Sequence, residues 1–329
     1  MTAIVTGAGG QDGTLLTELL AARGETVVGI GRRGPIDVTS AGQVAALVAE
    51  VRPSRVYLLA AVQHSSQGAP ADPVRLAHES HLVNTMQVHH FADAILAGGG
   101  ETRLFYACSS HVFGANTAVP EAITTYDEDA ALRPQSIYGV TKAAGLLACR
   151  AYRARGLFAS AGILFNHESH LRPVEFVTRK VVRAVAAIQR GDADELVVGD
   201  LEAGADWGYA PDYVRAMTLV LDLDAPDEFV VATGTHHTVA QLCAYAFAAA
   251  GLDWRRHVRE EPSLLTRRRG PVVGDARRLR ERTGWTPSVD FPGMVRALLR
   301  AEGAELIDHP GAPTARARPV RTGGTEGFA

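Results

Sequence analysis

The chain has 329 residues, enough for one large α/β unit with a smaller lobe beside it. Its 47% hydrophobic and 21% charged content is that of a soluble globular protein, and a net charge of -3 argues against a nucleic-acid-binding surface. No apolar run reaches membrane-spanning length, and the first residues enter a strand pattern rather than a signal peptide. Cys108, Cys149 and Cys243 are too widely spaced for a metal cluster or a disulfide framework, so no metal is expected and a reducing cytoplasm is the expected location.

Ala3 to Thr6 is a short apolar, β-branched run that leads through Gly7-Ala8-Gly9-Gly10-Gln11-Asp12-Gly13 into a helical pattern carrying Leu15, Leu16, Leu19 and Leu20. Thr26 to Ile30 reads as a second strand, Val44 to Val51 as a helix, and Val56 to Leu59 as a third strand ending in Ala60-Ala61. A helix over Leu82 to Leu96, a strand over Arg103 to Ala107, a helix over Ile137 to Arg153 and a strand over Ala159 to Leu164 follow. Strands alternating with helices imply right-handed crossovers, hence an α/β fold with a Rossmann-type, doubly wound parallel sheet. Beyond Asn166 the alternation loosens. Helix Val177 to Ile188, strand Glu195 to Val198 and the pieces through Trp285 predict a smaller C-terminal substrate-binding lobe. Residues 1–165 are read as the dinucleotide-binding domain and 166–308 as mainly the substrate lobe, with segments free to cross. Residues 309–329, rich in Gly, Pro, Thr and Arg, read as a disordered tail.

Gly7, Gly10 and Gly13 stand between strand and helix at the spacing that lets backbone approach a pyrophosphate at a helix N-terminus. Gln11 and Asp12 within that loop, and Ala60 and Ala61 after the third strand, join the same expected cofactor site. The second strand ends Gly29-Ile30-Gly31-Arg32-Arg33. An acidic residue there would bind the ribose 2′-hydroxyl of NAD. Arg32 and Arg33 instead suit the 2′-phosphate of NADP, with NAD the lesser alternative. Asp37 lies where a loop after the next short strand meets the adenine amino group.

Tyr138-Gly139-Val140-Thr141-Lys142 carries the chemistry most directly. Among 33 basic residues only Lys142 and Lys180 are lysine, and Lys142 stands four residues after Tyr138, on the same helical face. A nearby ammonium is expected to lower the phenol from its usual pKa near ~10 and make Tyr138 a usable acid/base. Cys108-Ser109-Ser110-His111-Val112-Phe113-Gly114 follows the fourth strand, where hydroxyls and imidazole point into the crevice beyond the carboxyl ends of the strands.

Together the Gly-rich loop, this segment and Tyr138/Lys142 resemble the extended short-chain dehydrogenase/reductases that modify nucleotide sugars. Gly162-Ile163-Leu164-Phe165-Asn166-His167-Glu168-Ser169, Phe176-Val177-Thr178-Arg179-Lys180 and Asp206-Trp207-Gly208-Tyr209 narrow it to a resemblance to the GDP-mannose 4,6-dehydratases, from about residue 2 to 302. So do Gln11-Asp12-Gly13, Val273-Gly274-Asp275 and Gly284-Trp285-Thr286-Pro287. The resemblance implies that Ser109 hydrogen-bonds the sugar O4, that Tyr138 takes the C4-hydroxyl proton as hydride leaves C4, and that Lys142 holds the cofactor ribose. It implies that Leu164, His167 and Arg172 line the cofactor, and that Ser110, Asn166, Val177, Thr178 and Lys180 contact the substrate.

Three departures stand out. The family's Glu that removes the C5 proton is His111 here, an imidazole able to do acid/base work near ~6.5. The family's phosphate-binding arginine before Asp-Trp-Gly is Ala205. A long family loop that helps hold the cofactor and a tetramer is missing between Arg33 and Asp37, so a dimer is expected rather than a tetramer. The resulting expectation is an NADP-dependent, cytoplasmic, dehydratase-type lyase on a nucleotide sugar, GDP-linked, with His111 as acid/base. An epimerase or 4-keto reductase is the alternative, and a catalytically silent nucleotide-sugar-binding protein the remote one. His64, His81, His89 and His90 read as structural or solvated. Glu121 and the acidic run Asp127 to Asp129 read as a solvated loop, with Glu121 a candidate replacement carboxylate.

Overall fold

The computed structural model describes residues 1–63, 72–114, 122–264 and 270–308. His64, Glu121 and the expected tail over 309–329 lie outside the described residues. The elements of the larger unit begin with β1 Thr2–Thr6, α1 Gln11–Ala22, β2 Thr26–Ile30, α2 Ala41–Val51, β3 Arg55–Leu58 and α3 Pro73–Ser80. They continue with α4 Gln87–Ala97, β4 Arg103–Ser109, β5 Thr124–Tyr126, α5 Ile137–Ala154 and β6 Ala159–Leu164. Then come β7 Asn166–Glu168, α6 Val177–Arg190, β8 Leu196–Val198, β9 Gly204–Tyr209, α7 Ala210–Asp222 and β10 Glu228–Val231. The chain closes with β11 His236–Thr238, α8 Val239–Ala249, β12 Val258–Glu260, β13 Val272–Gly274, α9 Arg277–Thr283 and α10 Phe291–Ala301.

Six strands form one parallel sheet in the order β10-β6-β4-β3-β1-β2. The central strands β4 and β6 are apolar along nearly their whole length because both faces are covered. Val88, Phe91 and Leu146 pack on one face and Leu16, Met217 and Val220 on the other. The order reverses between β1 and β3, which opens a crevice at their carboxyl ends. The edge strand β10 comes from beyond residue 165, so the chain returns to the large sheet after visiting the second lobe. A buried carboxylate secures that return. Glu228 accepts from Arg150 Nε at 2.7 Å and is paired with Arg153 as well.

In the acidic run Asp127 and Asp129 are exposed as expected, but Glu128 is not. Glu128 is buried and accepts the backbone N–H of Val230 at 2.7 Å, with the Arg278 guanidinium 3.6 Å away. β10 has an open edge, and the Glu128 carboxylate takes up one of its amides. The second lobe packs α6, α8 and α10 around Val181, Val185, Leu242, Phe247 and Leu298. Asp206 of β9 joins it to the sheet by accepting from Thr233 N, Thr233 Oγ1, Gly234 N and Gly274 N at 2.6–3.2 Å. Among the described residues no helix is long and apolar enough to cross a membrane, and no group of three or more His, Cys, Asp or Glu could hold a metal.

The helix expected over Leu82 to Leu96 is one stretch of a longer run in which a π-helical segment, His81–Met86, joins α3 to α4. The widened turn presents Asn84, Thr85 and Gln87 inward. Asn84 donates to Thr141 Oγ1 at 2.9 Å and accepts from Val62 N at 2.8 Å, and Thr85 donates to the Thr141 carbonyl at 2.9 Å. Gln87 links Thr6 to Ala60. The ends of β1 and β3 and the start of α5 are thereby held in one frame.

Candidate active site

The glycine loop shows why its residues are glycine. Gly7 has a φ of +69°, and a Cβ there would lie 2.8 Å from the Ala60 nitrogen. At Gly13 a Cβ would fall 2.2 Å from the Gly7 carbonyl oxygen. Gly10 begins α1 without a side-chain cap, so the first amides of that helix face the crevice. A loop with this backbone fit and uncapped amides suits a pyrophosphate. Arg32, Arg33 and Asp37 are exposed in the connection between β2 and α2, and no strand intervenes before α2. The Asp37 carboxylate accepts Thr39 N at 2.9 Å and Thr39 Oγ1 at 2.8 Å, so it organises its own turn.

The sheet register brings distant residues to one edge. Ser109 ends β4 opposite Leu164 at the end of β6, while Gly7 and Ala60 follow β1 and β3. Ala61 follows Ala60 and is exposed. Asn166 and His167 continue from β6 as β7. Ser110 is buried in a short 3-10 turn, Ser110–Val112, that also carries His111.

Ser136 caps α5 by accepting Gly139 N at 3.1 Å, which sets Tyr138 in the first helical turn. The Tyr138 phenol and the Ser109 hydroxyl are hydrogen-bonded. The His111 ring stands edge-to-face with the Tyr138 ring, centroids 5.4 Å apart at 84°. Ser109, His111 and Tyr138 therefore form one group.

The expected lowering of the Tyr138 phenol does not hold in the chain alone. Burial pushes it up to about 12, partly offset by the hydrogen bond with Ser109. Lys142 is spent elsewhere, since its Nζ donates to the Ala107 carbonyl at 2.7 Å and lies 5.7 Å from the Tyr138 ring centre. Burial also draws the Lys142 ammonium down to about 8, against the opposing pull of Cys108 and Asp12. One helical turn places both residues on one face, but it does not decide where the ammonium points.

At the other side of the loop, His167 Nε2 lies 2.9 Å from Asp12 Oδ2 and its Nδ1 lies 2.7 Å from the Phe165 carbonyl. Gln11 donates to Asp12 Oδ1 and to the His167 carbonyl, both at 3.1 Å, and accepts from Ser169 at 2.9 Å. Thr178 is buried and donates to Glu168 at 2.5 Å, so its hydroxyl is engaged inside the lobe. Arg172 lies 3.5 Å from Glu168 and covers the Phe176 ring. Val177 and Lys180 sit half-buried in the first turn of α6. Ala205 packs against the core of the second lobe, opposite His237 in the β9–β11 pair.

Sequence reasoning missed Asn84, Gln87, Ser169 and Tyr213. The first two were visible as an amide-bearing run, Asn84-Thr85-Met86-Gln87, inside an apolar helical pattern. Tyr213 stacks on the His167 ring at 4.5 Å and 18°, a contact across the fold with no local signal. Of the remaining histidines, His89 Nδ1 lies 3.3 Å from the Tyr152 hydroxyl and His90 Nδ1 3.0 Å from the Val38 carbonyl.

The chain is similar to known proteins in sequence and in fold. The family model for GDP-mannose 4,6 dehydratase matches residues 34–298. GDP-mannose 4,6 dehydratase 2 of Arabidopsis thaliana is 33% identical over 90% of this chain and 85% of its own length. GDP-mannose 4,6 dehydratase of Homo sapiens is 30% identical over 94% and 93%. The solved structure of RMD from Pseudomonas aeruginosa complexed with NADPH is similar in fold, with a TM-score of 0.76 at 22% identity, covering 92% of this chain and 98% of that one. The runs around Asn166, Thr178 and Asp206 thus sit in a chain whose similarity extends almost end to end, and the protein belongs to the GDP-mannose 4,6-dehydratase family of extended short-chain dehydrogenase/reductases.

Proposed function

We propose that this protein is an NADP-dependent, dehydratase-type lyase acting on a GDP-linked sugar through transient oxidation at C4. The observation that carries this reading is the convergence of Ser109, His111 and Tyr138 at the carboxyl end of β4, beside the glycine loop. The fit at Gly7 and Gly13 and the uncapped start of α1 support a dinucleotide, and exposed Arg32 and Arg33 support the one with a 2′-phosphate.

A nicotinamide dinucleotide held by the Gly7–Gly13 loop would supply a hydride acceptor for C4, a hydride donor for C6 and a positive charge. Tyr138, hydrogen-bonded to Ser109, takes the C4-hydroxyl proton. Its phenol lies at about 12 in the chain alone, so ionisation depends on added positive charge. The 4-keto group acidifies C5. His111 removes the C5 proton and protonates the C6 hydroxyl, which leaves as water. His111 would then return a proton to C5 as C6 is reduced. Ser110, Asn166, Val177, Thr178 and Lys180 are proposed to shape the substrate side, and Leu164, His167 and Arg172 the cofactor side. His111 in place of a carboxylate also favours, as second reading, an epimerase or 4-keto reductase that shares the C4 step.

The protein is proposed to act in the cytoplasm as a homodimer. Val74, Val140 and Leu147 are exposed apolar residues on α3 and α5, and the short connection between β2 and α2 disfavours a tetramer. Product analysis by mass spectrometry on a panel of nucleotide sugars tests the reaction. Loss of water from a GDP-sugar supports the lyase, unchanged mass supports an epimerase, and no turnover with any sugar would leave only a binding protein.

A further inference from the structure

Asp12 is a carboxylate in the first turn of α1, whose N-terminus is uncapped and is the proposed seat of the dinucleotide phosphates. Such a helix end favours anions, yet a fixed negative charge already there repels a second one. Its balance comes from across the crevice. His167 Nε2 meets Asp12 Oδ2 at 2.9 Å, and His167 Nδ1 meets the Phe165 carbonyl at 2.7 Å. Both partners are acceptors. With Asp12 ionised, both ring nitrogens donate in the imidazolium state, and that state fits these two contacts.

The surroundings hold that state in place. Tyr213 of α7 lies flat against the ring, and Gln11 bridges Asp12 to the His167 backbone. The other charged or titratable groups facing the pair are Glu168 of β7, Arg172 after it, and Tyr138 and Lys142 of α5. Arg172 lies 3.5 Å from Glu168, and its charge also acts on the pair, lowering the Asp12 carboxyl and opposing charge on His167. Burial opposes charge on His167, but Asp12 outweighs it and raises the imidazole above its ordinary value. Burial likewise opposes charge on Asp12, and His167 outweighs it and lowers the carboxyl.

We propose that Asp12 and His167 are a positioning pair for the dinucleotide, in which the imidazolium neutralises a carboxylate at the phosphate end of α1. Loss of the imidazolium proton leaves a bare carboxylate there and weakens cofactor binding. The inference rests on the reading that a nicotinamide dinucleotide binds the Gly7–Gly13 loop. Because the imidazole value is raised, binding is fullest below ~6.5 and declines as pH climbs through the raised value.

The test is the Kd of NADPH and of NADH for the full chain, read by fluorescence between about pH 6.5 and 9.5. NADH serves as second probe because it lacks the 2′-phosphate, which itself titrates near ~6. Affinity should fall on the order of ten-fold for both. The His167 ring nitrogens, followed by NMR in the cofactor-free protein, should titrate in the same window. Asp12→Asn should remove that decline. Lys142, drawn to about 8, titrates nearby and is itself held up by Asp12, so the NMR titration of the His167 ring identifies which group the decline follows. His167→Gln should bind weakly at every pH, and adding Asp12→Asn to it should restore affinity. A pair that served only as scaffold would give a double variant no better than His167→Gln. A flat wild-type Kd, or an Asp12→Asn variant that keeps the whole decline, overturns the proposal. The wild-type titration needs no variant to fold. Failure to bind either dinucleotide at any pH overturns the cofactor reading instead.

Discussion

The rings of His111 and Tyr138 meet at right angles with centroids 5.4 Å apart, and Gly139 is what permits the approach. A Cβ at Gly139 would fall 2.5 Å from the His111 carbonyl oxygen, so a larger residue would push α5 off the β4 turn. The proposed C5 base thus sits against the proposed C4 acid/base. His111→Ala should still reduce bound cofactor on mixing with substrate but stop before product. Solvent deuterium should enter C5 with the unmutated enzyme and not with the variant. Product formation at the unmutated rate would move the role to another group.

Tyr138→Phe removes the phenolic oxygen that Ser109 bonds while keeping the ring that His111 packs against. The fold and cofactor affinity should survive, and the rate should drop by roughly 10²–10⁴. Single-turnover absorbance near ~340 nm is the readout, since the loss belongs to the C4 step. Near-normal turnover would mean that another group takes the C4 proton.

Arg32 and Arg33 are exposed in the β2–α2 connection, from which they are proposed to meet a 2′-phosphate. NADP should bind more tightly than NAD. The Arg32→Ala, Arg33→Ala double variant should lose that preference by about ten-fold or more, since a charge-assisted contact to phosphate contributes roughly 1.5–3 kcal/mol. Equal affinities in the unmutated protein would show that the two arginines serve something else.

Glu228 gives the fold an acid-sensitive joint between α5 and β10. Burial opposes its charge, but hydrogen bonds from Arg150 and Arg153 prevail and hold the carboxyl below its ordinary range. A depressed carboxyl contributes stability that is present above its unfolded value near ~4.3 and is lost as pH falls through its folded value. Glu228→Gln should lower unfolding free energy at neutral pH by about 1.5–3 kcal/mol, the scale of hydrogen bonds to a charged group. The difference should shrink below about pH 4. Denaturant curves at pH 7 and pH 4 that differ equally would point to packing rather than charge.

Local sequence was enough for most strands and helices up to residue 165 and for the glycine spacing of the first loop. β-branched runs such as Ala3 to Thr6, glycine spacing at Gly7, Gly10 and Gly13, and a cap at Ser136 act over a few residues and can be read in order. The alternation of strand and helix likewise decided the parallel sheet, because crossovers between parallel strands have one hand. Side-chain direction was decided elsewhere. Lys142 is one turn from Tyr138, yet its ammonium turns to the Ala107 carbonyl on β4, a partner 35 residues away. Glu128 looked solvated in an acidic run, yet it closes on Val230, 102 residues on. Asp12 and His167 stand 155 residues apart and form an ion pair because β1 and β6 end at the same edge of the sheet. Propensity and periodicity are local energies, whereas charge state and hydrogen-bond partner depend on which buried groups the topology brings together. That is why the family, the sheet and the glycine loop were determined by the sequence itself, and only the tertiary structure decided how Tyr138, Lys142 and His167 carry their protons.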